Sequence, residues 1–185
     1  MKLKRLVYEG LWQLSARVWR SSERRMVSQR SLGAVWNIAV RSSAKSARDE
    51  DLLAAVAKVR DALELLGSTD PRRLTRLQRD IDAMSIVDYL RPQIGALYAV
   101  GSRTCYLALR PLQSESPAQV ALFMVHEATH ARLDRLHLPR CRAATIRSER
   151  RALLEELSFA ERLPRTVFPE VDAFIAKHRS TEATT

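Results

Sequence analysis

Residues 126–130 read His-Glu-Ala-Thr-His, and their types and spacing are those of a metal site on a helix. Two histidines four apart lie on one helical face, about one turn apart, so both imidazoles can reach one zinc ion. Glu127 is rotated roughly 100° from His126 around such a helix, which sets it to accept a proton from a zinc-activated water rather than to ligate. Five residues thus carry two ligands and a general base. The competing reading is a pair of hydrogen-bonded core histidines. It must find other partners for three polar groups on a helix that is otherwise apolar, because buried polar groups cost free energy unless satisfied.

The element that must present these residues is legible from its start. Ser116 is a helix N-cap, Pro117 suits the first helical position, and Gln119 stands where a capping box needs it. Residues 120–125, Val-Ala-Leu-Phe-Met-Val, are apolar nearly all round, as in a buried helix. The pattern predicts a helix over 117–137, broken at Pro139.

A catalytic zinc needs a third protein ligand and one open position. His137 is too far along the same helix, since seven residues rise about 10 Å, and it reads instead as a C-terminal residue that favours the helix dipole. The metzincin pattern would need Gly and His where this chain has Leu133 and Leu136. The next predicted helix, 143–163, carries Glu149, Leu153, Glu156 and Ala160 on one stripe. Glu149 and Glu156 are the odd members of that face, and an antiparallel return would bring one of them to the metal. Each has an ordinary alternative as a surface salt bridge with Arg150, Arg151 or Arg162. Asp134, one turn after His130, is placed either to orient a ligand histidine or to sit on the surface.

Over about residues 94–163 the chain resembles the gluzincins, zinc peptidases with H-E-x-x-H on one helix and a glutamate ligand on a following helix. It also resembles small bacterial proteins with a His-Glu-Ala-Thr-His-Ala-Arg-Leu core. The resemblance implies a zinc metallopeptidase with Glu127 as general base and His126, His130 and Glu149 as ligands. Glu149, nineteen residues after His130, matches the family ligand by position, with Glu156 in reserve as ligand or orienting residue. The chain departs from the pattern at Arg132, where zinc peptidases keep an apolar residue. No residue that polarises a substrate carbonyl stands out; Tyr98, Tyr106 and His178 are the candidates. An extended substrate would pair with the strand near 104–109, were that strand an edge.

Around this centre the periodicities predict an α+β fold, mostly helical, with a small sheet before the motif helix. Helices are expected over 3–20, 49–66 (stopped by Gly67), 71–83 and 169–178, and strands over 86–90, 96–100 and 104–109, the last two joined at Gly101-Ser102. The sheet should have two to four strands within 84–110. Leu74, Leu77 and Ile81 face inward on 71–83, with Arg72, Arg73, Arg76 and Arg79 outward. Residues 32–40 form a short apolar run and 41–48 a polar linker.

The formal charge of +10 is uneven. Residues 1–50 hold 11 Lys/Arg against 4 Asp/Glu, and the remaining residues 20 against 17. This divides the chain into a basic amphipathic segment, 1–48, a metallopeptidase-like domain, 49–179, and a disordered tail, 180–185. All three tryptophans, Trp12, Trp19 and Trp36, precede residue 49. Cys105 and Cys141 have no metal-binding spacing and read as free thiols. No run approaches a membrane span, and Glu9, Gln13 and Arg17 interrupt any signal-peptide core, so the expected location is cytoplasmic, at most peripheral to the inner face of the membrane. The expected partner is a peptide or protein substrate; the tryptophans of the basic segment read either as packing on the core or, through residues 3–20, as contacting an anionic membrane surface. Contact with nucleic acid ranks below both. The alternative to a peptidase is a catalytically silent zinc-binding or regulatory protein.

Overall fold

The computed structural model of the chain describes residues 29–88, 90, 94–137 and 142–182, with backbone alone for 142–144 and 177–182. The expected helix 3–20, the break at Pro139, Cys141 and the His178 side chain lie outside the described residues. The chain divides between Arg30 and Ser31. The larger unit, Ser31–Thr185, has an α+β architecture. A hairpin of β1 (Arg30–Val35) and β2 (Ile38–Ser42) leads into α1 (Asp49–Thr69) and α2 (Pro71–Asp80). β3 (Ala83–Val87), β4 (Ala96–Ala99) and β5 (Thr104–Ala108) complete the strands. The helices α3 (Leu109–Ser114), α4 (Pro117–Arg135), α5 (Arg142–Ala160) and α6 (Val171–Glu182) follow. No helix among the described residues is long and apolar enough to cross a membrane.

The sheet has five strands in the order β1-β2-β3-β5-β4. β3 runs parallel to β2 and to β5, with Ala83 opposite both Ala39 and Thr104, and β4 returns antiparallel beside β5. A parallel neighbour needs a long crossover, and α1 with α2 supplies the one between β2 and β3. Every residue of β3 and β5 is buried, as expected for strands covered on both faces. β4 is therefore an edge and β5 is interior, which overturns the expectation that 104–109 could pair with a substrate.

The two additional strands come from residues 30–42. The composition boundary at 48 is thus not where packing begins, because β2 pairs along β3. The turn between β1 and β2 is Trp36-Asn37, both left-handed at φ 52° and 62°. That is the conformation of a two-residue hairpin turn whose twist matches the strands.

Other boundaries moved for local reasons. Gly67 does not stop α1; the helix runs on to Thr69, and a Cβ at 67 would meet Leu74 at 2.9 Å, so the glycine admits the next helix. Asp70 ends α1 and caps α2, accepting from the Arg73 amide. α2 ends at Asp80 because Ile81 is already extended, and β3 begins three residues earlier than expected. α6 continues to Glu182, through the first residues of the expected tail. Arg73 does not point outward: its guanidinium is largely buried between Asp70 and Glu155.

α4 is the centre of the packing, touching α1, α2, α5 and β4. Val120, Ala121, Leu122, Met124, Val125 and Ala131 are all buried, which explains why the sequence reads apolar on nearly every side. Its C-terminal end is moored to α2, since Arg135 and Arg79 both bond the buried Asp80 carboxylate. Burial alone would raise Asp80; the two guanidiniums outweigh it and hold it below its ordinary value.

At the other end, β4 approaches α4 with almost no clearance. A Cβ on Gly95 would run into the Phe123 ring. Gly95→Ala should therefore cost about 1–3 kcal/mol, the range for overpacking. The same change in a Phe123→Ala background should cost little. Chemical unfolding of the four proteins measures the difference, and equal costs in both backgrounds would show that this contact does not set the spacing.

Candidate metal centre

Ser116 caps α4 by accepting from the Gln119 amide, and the helix then presents His126, Glu127 and His130 toward α5 and β4. The two imidazoles lie edge to face with centroids 5.0 Å apart. α5 returns beside them with Ser148, Glu149 and Glu156. Nε2 of His126 is 3.4 Å from Glu149 Oε2, and Nε2 of His130 is 3.4 Å from Glu149 Oε1. One carboxylate thus faces both ring nitrogens, one oxygen to each. Among the described residues, His126, His130 and Glu149 form a group whose ligand atoms all lie within 4.8 Å of one another.

The outer nitrogens are occupied. His126 Nδ1 is 3.0 Å from Glu156 Oε2, and His130 Nδ1 is 3.0 Å from Ser148 Oγ. A proton on each Nδ1, donated outward to Glu156 and Ser148, leaves both Nε2 lone pairs aimed inward. This is the arrangement that fixes the tautomer of metal-ligating histidines. Glu149 and Glu156, two turns apart on one stripe, therefore sit on opposite nitrogens of the same ring. The sequence left the third ligand open between them; the geometry puts Glu149 inside the group and Glu156 behind it.

Electrostatics follow from the same contacts. Burial opposes a charge on His126, but the carboxylates of Glu149, Glu156 and Glu127 outweigh it and lift the imidazole to about 10. Burial likewise opposes charge on His130, and Glu149 and Glu127 raise it. Burial raises Glu149, while the two histidines outweigh it and hold it below the usual carboxylate range. In the metal-free chain the surrounding carboxylates favour protonation of both imidazoles, and the imidazoles favour ionisation of Glu149. A cation taking the Nε2 positions displaces protons, so metal uptake by these residues releases protons.

Glu127 is buried at 8% exposure and turned toward β4. In β4 the backbone bond from Ala108 N to Gly95 O fixes the ladder phase, so Ala96 and Tyr98 turn their amides to the free edge. The Tyr98 amide donates to Glu127 Oε2 at 2.6 Å. The edge strand thereby orients the carboxylate beside the histidine pair. Asp134 holds the same strand further on, accepting from the Tyr98 hydroxyl at 3.1 Å and from the Gly101 amide at 3.2 Å. It moors β4 to α4, and the partner of His130 Nδ1 is Ser148 instead.

Of the candidates for polarising a carbonyl, Tyr98 gives its hydroxyl to Asp134, and Tyr106 is buried on the interior strand β5. His137 ends α4 in the left-handed region at φ 52°, exposed and outside the group. Cys105 is a buried free thiol, pushed up by burial and by the Glu127 charge. Sequence reasoning missed Ser148 and the Tyr98 amide. Ser148 adjoins Glu149 on the helix, which was the available signal; a backbone amide carries none. Comparison with models of known protein families, with curated proteins and with solved structures finds no match.

Proposed function

We propose that the chain is a metal-dependent hydrolase of the zinc metallopeptidase type. The carrying observation is the convergence of His126 Nε2 and His130 Nε2 on Glu149 while both Nδ1 atoms have outer partners. A His₂Glu donor set suits zinc and leaves one coordination position open. When bound there, zinc supplies the Lewis acidity that activates a water and polarises a carbonyl. The residues do the rest. Glu127, oriented by the Tyr98 amide, accepts the proton of the attacking water and passes it to the leaving amine. Glu156 and Ser148 hold the two imidazoles in the ligating tautomer. β4, rather than β5, is the edge strand, and its outward Tyr98 amide serves Glu127 rather than a substrate.

A second reading, a zinc-binding protein without turnover, is favoured by Tyr98 and Tyr106. Neither is free to polarise a carbonyl, the first being committed to Asp134 and the second buried.

Metal analysis combined with a broad peptide-hydrolysis screen of the zinc-loaded protein separates these readings. About one zinc per chain with hydrolysis supports the peptidase; zinc without hydrolysis supports the second reading; no zinc removes both. Within the site, Glu156→Ala should weaken zinc binding by about 10–100-fold, the scale of an orienting partner. Glu149→Ala should weaken it more. The reverse ranking, read by competition with a chelating dye, would move the third ligand to Glu156.

A further inference from the structure

The outward face of α2 belongs to no part of the metal centre. It presents Arg72, Thr75, Arg76 and Arg79, all exposed. On one flank Gln78 donates to the Trp36 carbonyl at 2.9 Å and ties the hairpin tip against the helix. Trp36 is 46% exposed and sits in the left-handed conformation of the hairpin turn. On the other flank a shallow cleft opens between α2, α4 and α5, lined by Arg76 and Arg132 and by Glu155, whose carboxylate is held by Arg73 and Arg151. Arg132 is the half-buried residue that departs from the zinc-peptidase pattern.

The charge on this band is not balanced. Among the described residues, the guanidiniums of Arg72 and Arg132 have no hydrogen bond or ion pair, and Arg76 has only a charge interaction with Glu155, a carboxylate already bound by Arg73 and Arg151. Arg79 and Arg135 share the single Asp80 carboxylate, which leaves one charge in excess. A half-buried guanidinium without a counter-charge, as at Arg132, is costly, and the exposed arginines beside it extend the positive charge along the helix, where an anion can run. Arginine's planar fork suits phosphate oxygens. An exposed aromatic beside a basic track is the arrangement that stacks bases. A membrane surface fits less well, because the outward residues of α2 offer no apolar side chain to enter the lipid.

We propose that this band, from Trp36 across α2 to Arg132, binds single-stranded nucleic acid. Phosphates lie along Arg72, Arg76 and Arg132, and a base stacks on Trp36. The proposal is independent of whether the metal centre turns over a substrate.

The test is fluorescence anisotropy of the full chain with a labelled mixed-sequence oligonucleotide of about 20 nucleotides, long enough for one or more typical site sizes. Saturable binding is expected. Arg72→Glu with Arg76→Glu should weaken it at least about 10-fold and flatten the salt dependence by roughly 1.4 in log–log slope, two contacts at about 0.7 each. Arg60→Glu with Arg110→Glu, the same charge change at two exposed arginines elsewhere, should cost less than about 2-fold if the band is the site. Trp36→Ala should weaken single strands by about 5-fold or more. Absence of saturable binding would overturn the proposal. Equal losses in the two double variants would also overturn it, by assigning the attraction to overall charge, including the basic residues 1–28. Preferential binding to vesicles of equimolar phosphatidylcholine and phosphatidylserine, unaffected by Trp36→Ala, would overturn it in favour of a membrane.

Discussion

Glu127→Gln should keep the metal and lower hydrolysis by about 10²-fold or more, the scale of a general base. The substitution is nearly isosteric, and the amide oxygen can still accept from the Tyr98 amide that holds Glu127 Oε2 at 2.6 Å. The contact between α4 and β4 is therefore preserved. What disappears is the capacity to take a proton at neutral pH. Glu127 also lies outside the group of His126, His130 and Glu149 whose ligand atoms converge, so zinc stoichiometry should stay unchanged. The measurement pairs metal content with kcat on whichever peptide the screen identifies. Retained activity would remove Glu127 as the base. Loss of zinc would mean that its carboxylate ligates, contrary to its direction toward β4.

The features that carried over from sequence to structure were those set by local chemistry. Ser116 and Pro117 start α4 where the capping pattern placed them, and the helix ends at Arg135, two residues short of the expected 137. The turn after Ala99 joins β4 to β5 as Gly101 suggested, with Gly101 itself left-handed at φ 83°. The stripe on α5 was legible as a face bearing two unexpected carboxylates. Its register against α4 was not, because the pairing of two helices depends on tertiary packing rather than on periodicity.

The failures share a cause: the deciding partner is distant in sequence or belongs to the backbone. Trp36-Asn37 makes a hairpin turn without the glycine that usually signals one, so 32–40 read as one apolar run rather than parts of two strands. Gly67 looked like a stop, yet it is selected by Leu74 on the next helix. Asp134 read either as orienting a histidine or as a surface residue, yet its Oδ2 accepts from Tyr98 and Gly101, more than thirty residues earlier. Which strand is the edge depends on β5 inserting between β3 and β4. Nothing local encodes that order.

His126→Ala or His130→Ala should abolish zinc binding, because each removes one of the three proposed protein ligands and the geometry with it. The loss should exceed the 10–100-fold cost expected of an orienting partner such as Glu156. It should also be visible as stability. Zinc at 100 times its Kd stabilises the chain that binds it by about 2.7 kcal/mol, so zinc should raise the Tm of the parent chain and leave both variants unmoved. The metal-free proteins add a pH test with a definite sign. His126 is lifted from its ordinary 6.5 to about 10 by Glu149, Glu156 and Glu127 against the opposing effect of burial. The stability this contributes is fully present below the unfolded value and is lost as pH rises through the folded one. In chelator, the gap between the parent chain and His126→Ala should therefore be wide near pH 6.5 and close toward pH 10. A gap that widened with rising pH would mean that His126 is neutral in the folded chain, and the carboxylates around it would not be the partners that hold it. Unchanged zinc stoichiometry in both variants would dismiss the site itself, whatever the pH profile, since no arrangement of Glu127, Glu149 and Glu156 alone reproduces the His₂Glu set on which the hydrolase reading rests.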